Sequence, residues 1–325
     1  MIAQADCRFK TFIPLCCISI LLFLIGTAHS ADFSASGKNW KASLSASYIY
    51  DDNVTQRPDM GSLAPAGLPD QEDSIFNWSA SASYKLGLMK NFDMTMDYDI
   101  DMSLHADLDQ YDLTAQMFGI NPVYRFSRFA RFSFRNWFIY NRVDSDDFST
   151  VYMFDPSFSY MHPTFGYSRV HYTFNHTNNM VNDLRDEKRN AVGFDQVFFF
   201  SNFKHYFGVG YEHAIEDTQG IAYDRDINIW AFKFKASLPY NLSLYGKYKV
   251  TFRDYDNRLA TSLTKLRDDD LHDFKFKLKW LLIHDRAILK KVTAKLEYQH
   301  TSNDSNLRLR DYTVDRVILG FEAKY

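Results

Sequence analysis

Four aspartates, Asp93, Asp97, Asp99 and Asp101, sit at odd positions of the stretch FDMTMDYDIDMSL (residues 92–104), where every even position holds a large apolar side chain. Nine cations form a second set: Lys233, Lys235, Lys247, Lys249, Arg253, Lys275, Lys277, Lys279 and Lys295. These recur at the same alternate spacing, in WAFKFKASL, LSLYGKYKVTF, FKFKLKWLL and VTAKLEYQH. Charges repeated every second residue of an extended chain point the same way. Arranged around water, an acidic wall facing a basic wall would orient and select small polar or charged solutes. The competing expectation is that such charges only keep a lining wet and pair neighbouring strands.

Other residues with chemical potential lead less far. His300 and Ser302 in HTSND share a face, and an ester-cleaving pair would need a third group to orient the histidine. Asp304 is close to them in sequence only, so no catalytic residue is assigned. NHTNN (175–179) offers a histidine and no partner. The acidic runs DSDD (144–147) and RDDD (267–270) lack the ligand spacing of a Ca²⁺ loop, so they read as solvated charge. No metal or cofactor is expected.

The elements that carry these residues alternate with period two. Trp40, Ala42, Leu44, Ala46, Tyr48 and Tyr50 fall on one face of WKASLSASYIY, and Lys41, Ser43, Ser45 and Ser47 on the other. The same split recurs in FNWSASASYKL and in each charged stretch above. Alternation at this period marks strands with one apolar and one polar face, whereas a helix would spread the aspartates and methionines over all sides. About 14 such strands follow one another between residues 40 and 325, most long enough to cross a bilayer at a tilt. Short turns (LMKN, SRFA, HPTF, SNF, PYN) alternate with longer polar connections at 51–73, 143–149, 178–189, 215–225, 254–269 and 302–310. The expected fold is therefore all-β: a transmembrane antiparallel up-and-down barrel with short periplasmic turns and longer extracellular loops. A secreted β-sandwich also alternates, but its strands are rarely this long.

Composition agrees with an apolar exterior around a wet interior. Aromatic residues make up 17% of the chain, more than one soluble core readily hides, yet mean hydropathy is −0.35. Formal net charge is −3, which argues against nucleic acid as the main partner, since phosphate binding needs a basic face. Aromatics gather near strand ends (Tyr48, Tyr50, Phe76, Trp78, Phe138, Tyr140), as in interface girdles.

Arg8 and Lys10 precede FIPLCCISILLFLIG and then Ala28-His29-Ser30, the pattern of a secretory signal peptide over residues 1–30, leaving a barrel over 31–325. An N-terminal membrane anchor is the alternative. Cys7, Cys16 and Cys17 all lie within the leader, so the exported chain carries no cysteine. The chain ends VILGFEAKY, where Val317, Leu319, Phe321, Ala323 and the terminal Tyr325 alternate. That ending is similar to the signal read by the barrel-assembly machinery of Gram-negative outer membranes. The other partners expected are membrane lipid, lipopolysaccharide and a small solute or exported substrate.

YIYDDNVTQRPD (48–59), followed by DSIFNWSASASYKL, resembles the opening of two related groups of barrels. One is a group of β-barrel porins, and the other is the C-terminal barrel of the surface lipoprotein assembly modifier family. The first two strands and the last carry the resemblance. It implies an outer-membrane barrel and, as an alternative to a channel, a factor for assembly or export of surface lipoprotein or polysaccharide. In that family a helical tetratricopeptide-repeat domain precedes the barrel. Residues 31–39 leave no room for one, so the resemblance implies the architecture more than an export role.

Overall fold

The computed structural model describes residues 39–56, 72–257, 266–286 and 289–325. The expected signal peptide at 1–30 and most of the 51–73 connection lie outside the described residues. Among the described residues fourteen antiparallel strands, bonded in chain order, close into one barrel. They are β1 (Trp40–Asp51), β2 (Asp73–Met89), β3 (Phe92–His105), β4 (Leu113–Arg125), β5 (Ala130–Val143), β6 (Asp146–His162) and β7 (Gly166–Asn179). β8 (Glu187–Phe200), β9 (His205–Thr218), β10 (Arg225–Ser237), β11 (Leu242–Tyr255), β12 (Asp268–Arg286), β13 (Leu289–Ser305) and β14 (Tyr312–Lys324) complete the ring. β1 pairs with β14 antiparallel, from Ser43 opposite Lys324 to Asp51 opposite Arg316.

Closure leaves no sheet edge, the condition for a spanning sheet whose backbone groups must all be paired. The alternation seen in the sequence becomes outside and inside. Trp230, Phe232, Phe234, Phe274, Phe276 and Leu296 are exposed on the outer surface, the apolar band of a membrane barrel. Tyrosines on this face are tied sideways. The Tyr98 hydroxyl donates to Gln116, Tyr172 to Asn190 and Tyr211 to Asn228, each on the neighbouring strand. A phenol placed in this way keeps its ring apolar-side and its hydroxyl satisfied.

Two prolines interrupt the ladders as their missing N–H requires. The β4–β5 pairing skips from Ile120 to Val123 around Pro122, and the β6–β7 pairing skips from Phe154 to Ser157 around Pro156.

The expected long connection at 143–149 is instead a tight turn. β5 runs to Val143 and β6 starts at Asp146, because Asp144 and Ser145 both adopt left-handed φ (47° and 67°), the geometry of a two-residue hairpin. The Asp147 carboxylate of DSDD accepts the Tyr140 hydroxyl. The connection after β3, whose length the sequence left open, is by contrast a folded loop over residues 106–112.

Four loops at this end share one construction. A single 3-10 turn (109–111, 183–185, 221–223, 308–310) is followed by an aspartate: Asp112, Asp186, Asp224 or Asp311. Each carboxylate accepts the backbone N–H of the last residue of the preceding strand, at His105 (2.6 Å), Asn179 (2.7 Å), Thr218 (2.6 Å) and Ser305 (2.6 Å). The aspartate closes the loop onto the strand it left, and the residue before it is held at the barrel mouth.

Candidate functional site

Asp93, Asp97, Asp99 and Asp101 all face the lumen from β3, opposite Gly87, Ser83, Ser81 and Ser79 of β2. They do not form one uniform row. Asp93, at the periplasmic end, is clamped by Arg125 and by Lys85 at 3.2 Å. Asp101 accepts the Asn77 side-chain amide at 2.8 Å. Among the described residues neither Asp97 nor Asp99 has an ion-pair partner. Their surroundings are small: Ser43 bonds Ser81 and Ser45 bonds Ser79 across β1 and β2, and Gly119 faces Asp97 from β4. This side of the lumen is thus a lining of short hydroxyl side chains bearing two uncompensated carboxylates.

In the closed ring β3 lies seven strands from β10 and six from β11, while the cations of β12 and β13 lie five and four strands away. There too some charges are committed. Lys233 reaches Asp195 (3.2 Å), Lys249 reaches Asp273 (2.7 Å), and Lys275 and Lys277 share Glu297 (3.2 and 2.5 Å). Lys235 and Lys279 lie over the Tyr245 ring at 5.7 and 5.6 Å. Lys247, Lys295 and Arg253 have no carboxylate within ion-pair distance among the described residues.

Alternation could not give which charges neutralise each other, and it missed one structure altogether. An ion-pair belt crosses six strands in the extracellular half. His171 meets Glu212 at 3.1 Å, and Glu212 holds Arg189 at 2.5 Å. Arg189 meets Glu216 at 3.1 Å, and Glu216 in turn holds Arg225. Arg225 donates to the Tyr255 hydroxyl at 3.0 Å, and the same ring lies under Arg267, which pairs with Asp269. Within the belt, between Glu212 and Glu216 of β9, the lumen face of β8–β10 turns apolar at Ala191, Ala214 and Ile227. On β5–β7, Arg131 and Arg135 also face inward, beside the Arg169–Asp155 pair at 2.8 Å. Cations therefore extend beyond β10–β13, and several are paired with inward carboxylates such as Asp155, Glu212, Glu216 and Asp269. A sequence signal for the belt existed: Arg189, Glu212, Glu216 and Arg225 share lumen parity. Single charges among polar neighbours do not stand out as a motif.

His300 is oriented after all, though not by Asp304: Asp315, its cross-strand partner on β14, accepts Nδ1–H at 2.8 Å. The Tyr298 hydroxyl donates to the same carboxylate at 2.6 Å. The identical arrangement recurs on β9, where Tyr211 (2.8 Å) and His213 (3.2 Å) both meet Asn228 of β10. There Ile215 stands where Ser302 would be. The histidine clamp is thus a repeated feature of the outer girdle, independent of any serine.

At the C-terminus, Val317, Leu319 and Phe321 are exposed on the outer face opposite Tyr50, Tyr48 and Ala46, and Ala323 pairs Leu44. Tyr325 continues the pairing through its backbone N–H to Ala42 (2.9 Å).

No curated protein matches the chain. Solved outer-membrane proteins resemble it distantly. OprD of Pseudomonas aeruginosa shares 10% identity over 88% of this chain and 95% of its own, with a TM-score of 0.45. OpdQ of the same organism shares 10% over 89% and 100% (TM-score 0.42). A loop-deletion mutant of OmpT, an outer membrane protein of Vibrio cholerae, shares 10% over 88% and 98% (TM-score 0.46). The closed ring, its apolar exterior and its charged interior make the protein an integral outer-membrane β-barrel. The family model of the surface lipoprotein assembly modifier matches residues 40–325, the whole of that ring, and the chain belongs to this family.

Proposed function

We propose that the barrel is a channel for passive passage of small polar or charged solutes. One observation carries the reading: among the described residues Asp97 and Asp99 have no ion-pair partner on one side of the lumen, and Lys247 has none on β11, six strands round the ring. Opposed fixed charges across a narrow aqueous space create a transverse field that orients and sorts solutes. A purely structural lining would have been expected to pair these groups, as it pairs Asp93 and Lys277. In this reading residues 1–30 direct export, the alternating C-terminus is read by the barrel-assembly machinery, and the outer girdle meets lipid and lipopolysaccharide. No chemical step is involved.

Reconstitution into a planar bilayer tests it. Stepwise conductance is the expected result, and silence at all voltages would sink the channel.

The family supports a second reading, in which the barrel helps assemble a lipoprotein, or an exported polysaccharide, at the cell surface. Co-expression with a surface lipoprotein separates the two. Loss of surface display on deletion of the barrel, with no conductance from the purified protein, would favour export over passage.

A further inference from the structure

The extracellular end of the lumen encloses a cavity of about 640 Å³, within the usual range for small-molecule sites. Among the described residues five arginines line it, Arg185, Arg225, Arg253, Arg267 and Arg310, against a single lining carboxylate, Glu187. They come from five separate parts of the chain, and the fold gives each a reason to be there. Arg185 and Arg310 are the residues immediately before the loop-closing Asp186 and Asp311, so the turn that ends each loop delivers a guanidinium to the mouth. Tyr223 occupies the same place before Asp224 and lines the same cavity. Arg225 and Arg267 are fixed on the Tyr255 ring, at 5.6 and 4.5 Å from its centre.

The five are not equally committed. Arg225 and Arg267 are backed by Glu216 and Asp269. Arg185 and Arg310 form no ion pair among the described residues, and the Arg253 Nε is buried without a hydrogen-bond partner. A buried donor left unmade is costly, and a planar guanidinium is matched by the paired oxygens of a carboxylate or phosphate.

We propose that this mouth is a binding site for a small anion bearing phosphate or carboxylate groups, with Arg253, Arg185 and Arg310 supplying the free donors. Tyr255 holds Arg225 and Arg267 in place behind them. The proposal deepens the channel reading by naming the solute class met first from outside. Its role in passage rests on that reading, but binding itself does not.

The test is calorimetric titration of the full barrel in detergent micelles with inorganic pyrophosphate, and folding of each variant is checked by heat-modifiable mobility on gels. Saturable binding is expected for the wild type, weakened tenfold or more in Arg253→Gln and in Arg310→Gln. Lys41→Gln, which removes a lumen-facing cation at the opposite end, should leave it unchanged. No saturable binding, or equal weakening by Lys41→Gln, would overturn the site. Bilayer recordings on the same preparations separate the two claims. Binding without conductance retains the site and removes the channel, and conductance without binding does the reverse.

Discussion

Lys233 lies flat across Gly208, its cross-strand partner: a Cβ at position 208 would sit 2.7 Å from Lys233 Cε, and the ammonium runs on to Asp195 at 3.2 Å. Gly320 and Lys295 repeat the relationship between β14 and β13, with the Cε 2.5 Å from the same virtual atom. Glycine here makes room for a lysine stem against the wall, which decides how far each ammonium projects into the lumen.

Gly208→Val is therefore expected to lift Lys233 off the wall and break its contact with Asp195. Overpacking of this kind costs about 1–3 kcal/mol. The urea midpoint for unfolding from detergent should fall, and Lys233→Ala in the same chain should restore most of the loss. A double variant no more stable than the single one would show that the stem is not what meets the new side chain.

Within β3 the aspartates should separate into two classes. Asp97→Asn with Asp99→Asn is expected to move the reversal potential in a salt gradient toward anions with little change in stability, because neither carboxylate has a cationic partner among the described residues. Asp93→Asn should leave selectivity nearly unchanged and weaken the periplasmic end, where Arg125 and Lys85 lose their shared carboxylate. If all three behave alike, the acidic stripe is structural throughout.

Asp73 is a buried anchor of the β3–β4 loop. Its carboxylate accepts the backbone N–H of Ser74 (2.6 Å), Asp107 (3.1 Å) and Leu108 (3.1 Å), and it meets His105 at 3.1 Å. Asp73→Ala strands the buried Leu108 N–H, at a cost of about 1–3 kcal/mol, and releases the amides of Ser74 and Asp107 as well. Limited proteolysis should then cut within residues 106–112 before any other described loop.

Asp256, just past β11, carries a pH signature. Partial desolvation, then the nearby charges of Asp226, Asp224, Asp217 and Asp254, raise its carboxyl above the ordinary range. A carboxyl that titrates higher in the folded barrel than in the unfolded chain binds its proton more tightly when folded. Its destabilising effect is absent below the ordinary pKa and complete above the raised one. Asp256→Asn should accordingly raise the unfolding temperature at about pH 7 and leave it unchanged at about pH 3. A gain of equal size at both would assign the effect to something other than charge.

The barrel itself was legible from period-two alternation, because the two faces of every strand meet different solvents: Phe92, Met94 and Met96 lipid, Asp97 and Asp99 water. Strand number and inward parity followed from the same signal. Loop lengths were less so: the turn at Asp144–Ser145 and the folded loop at 106–112 depend on φ angles and on one carboxylate, neither of which hydrophobic periodicity records.

The sequence alone thus determined the alternation of every strand and, once the ring is read as up-and-down, that β10 lies seven strands from β3, since such a ring has only one neighbour order. Only the tertiary structure decided which inward charges remain free. Asp93 and Asp97 look alike in sequence, but the stagger between strands brings Arg125 to the first and Gly119 to the second. Arg185, Arg225, Arg253, Arg267 and Arg310 share no spacing at all. They become one surface because five distant segments end at the same rim, a consequence of closure that no local pattern encodes.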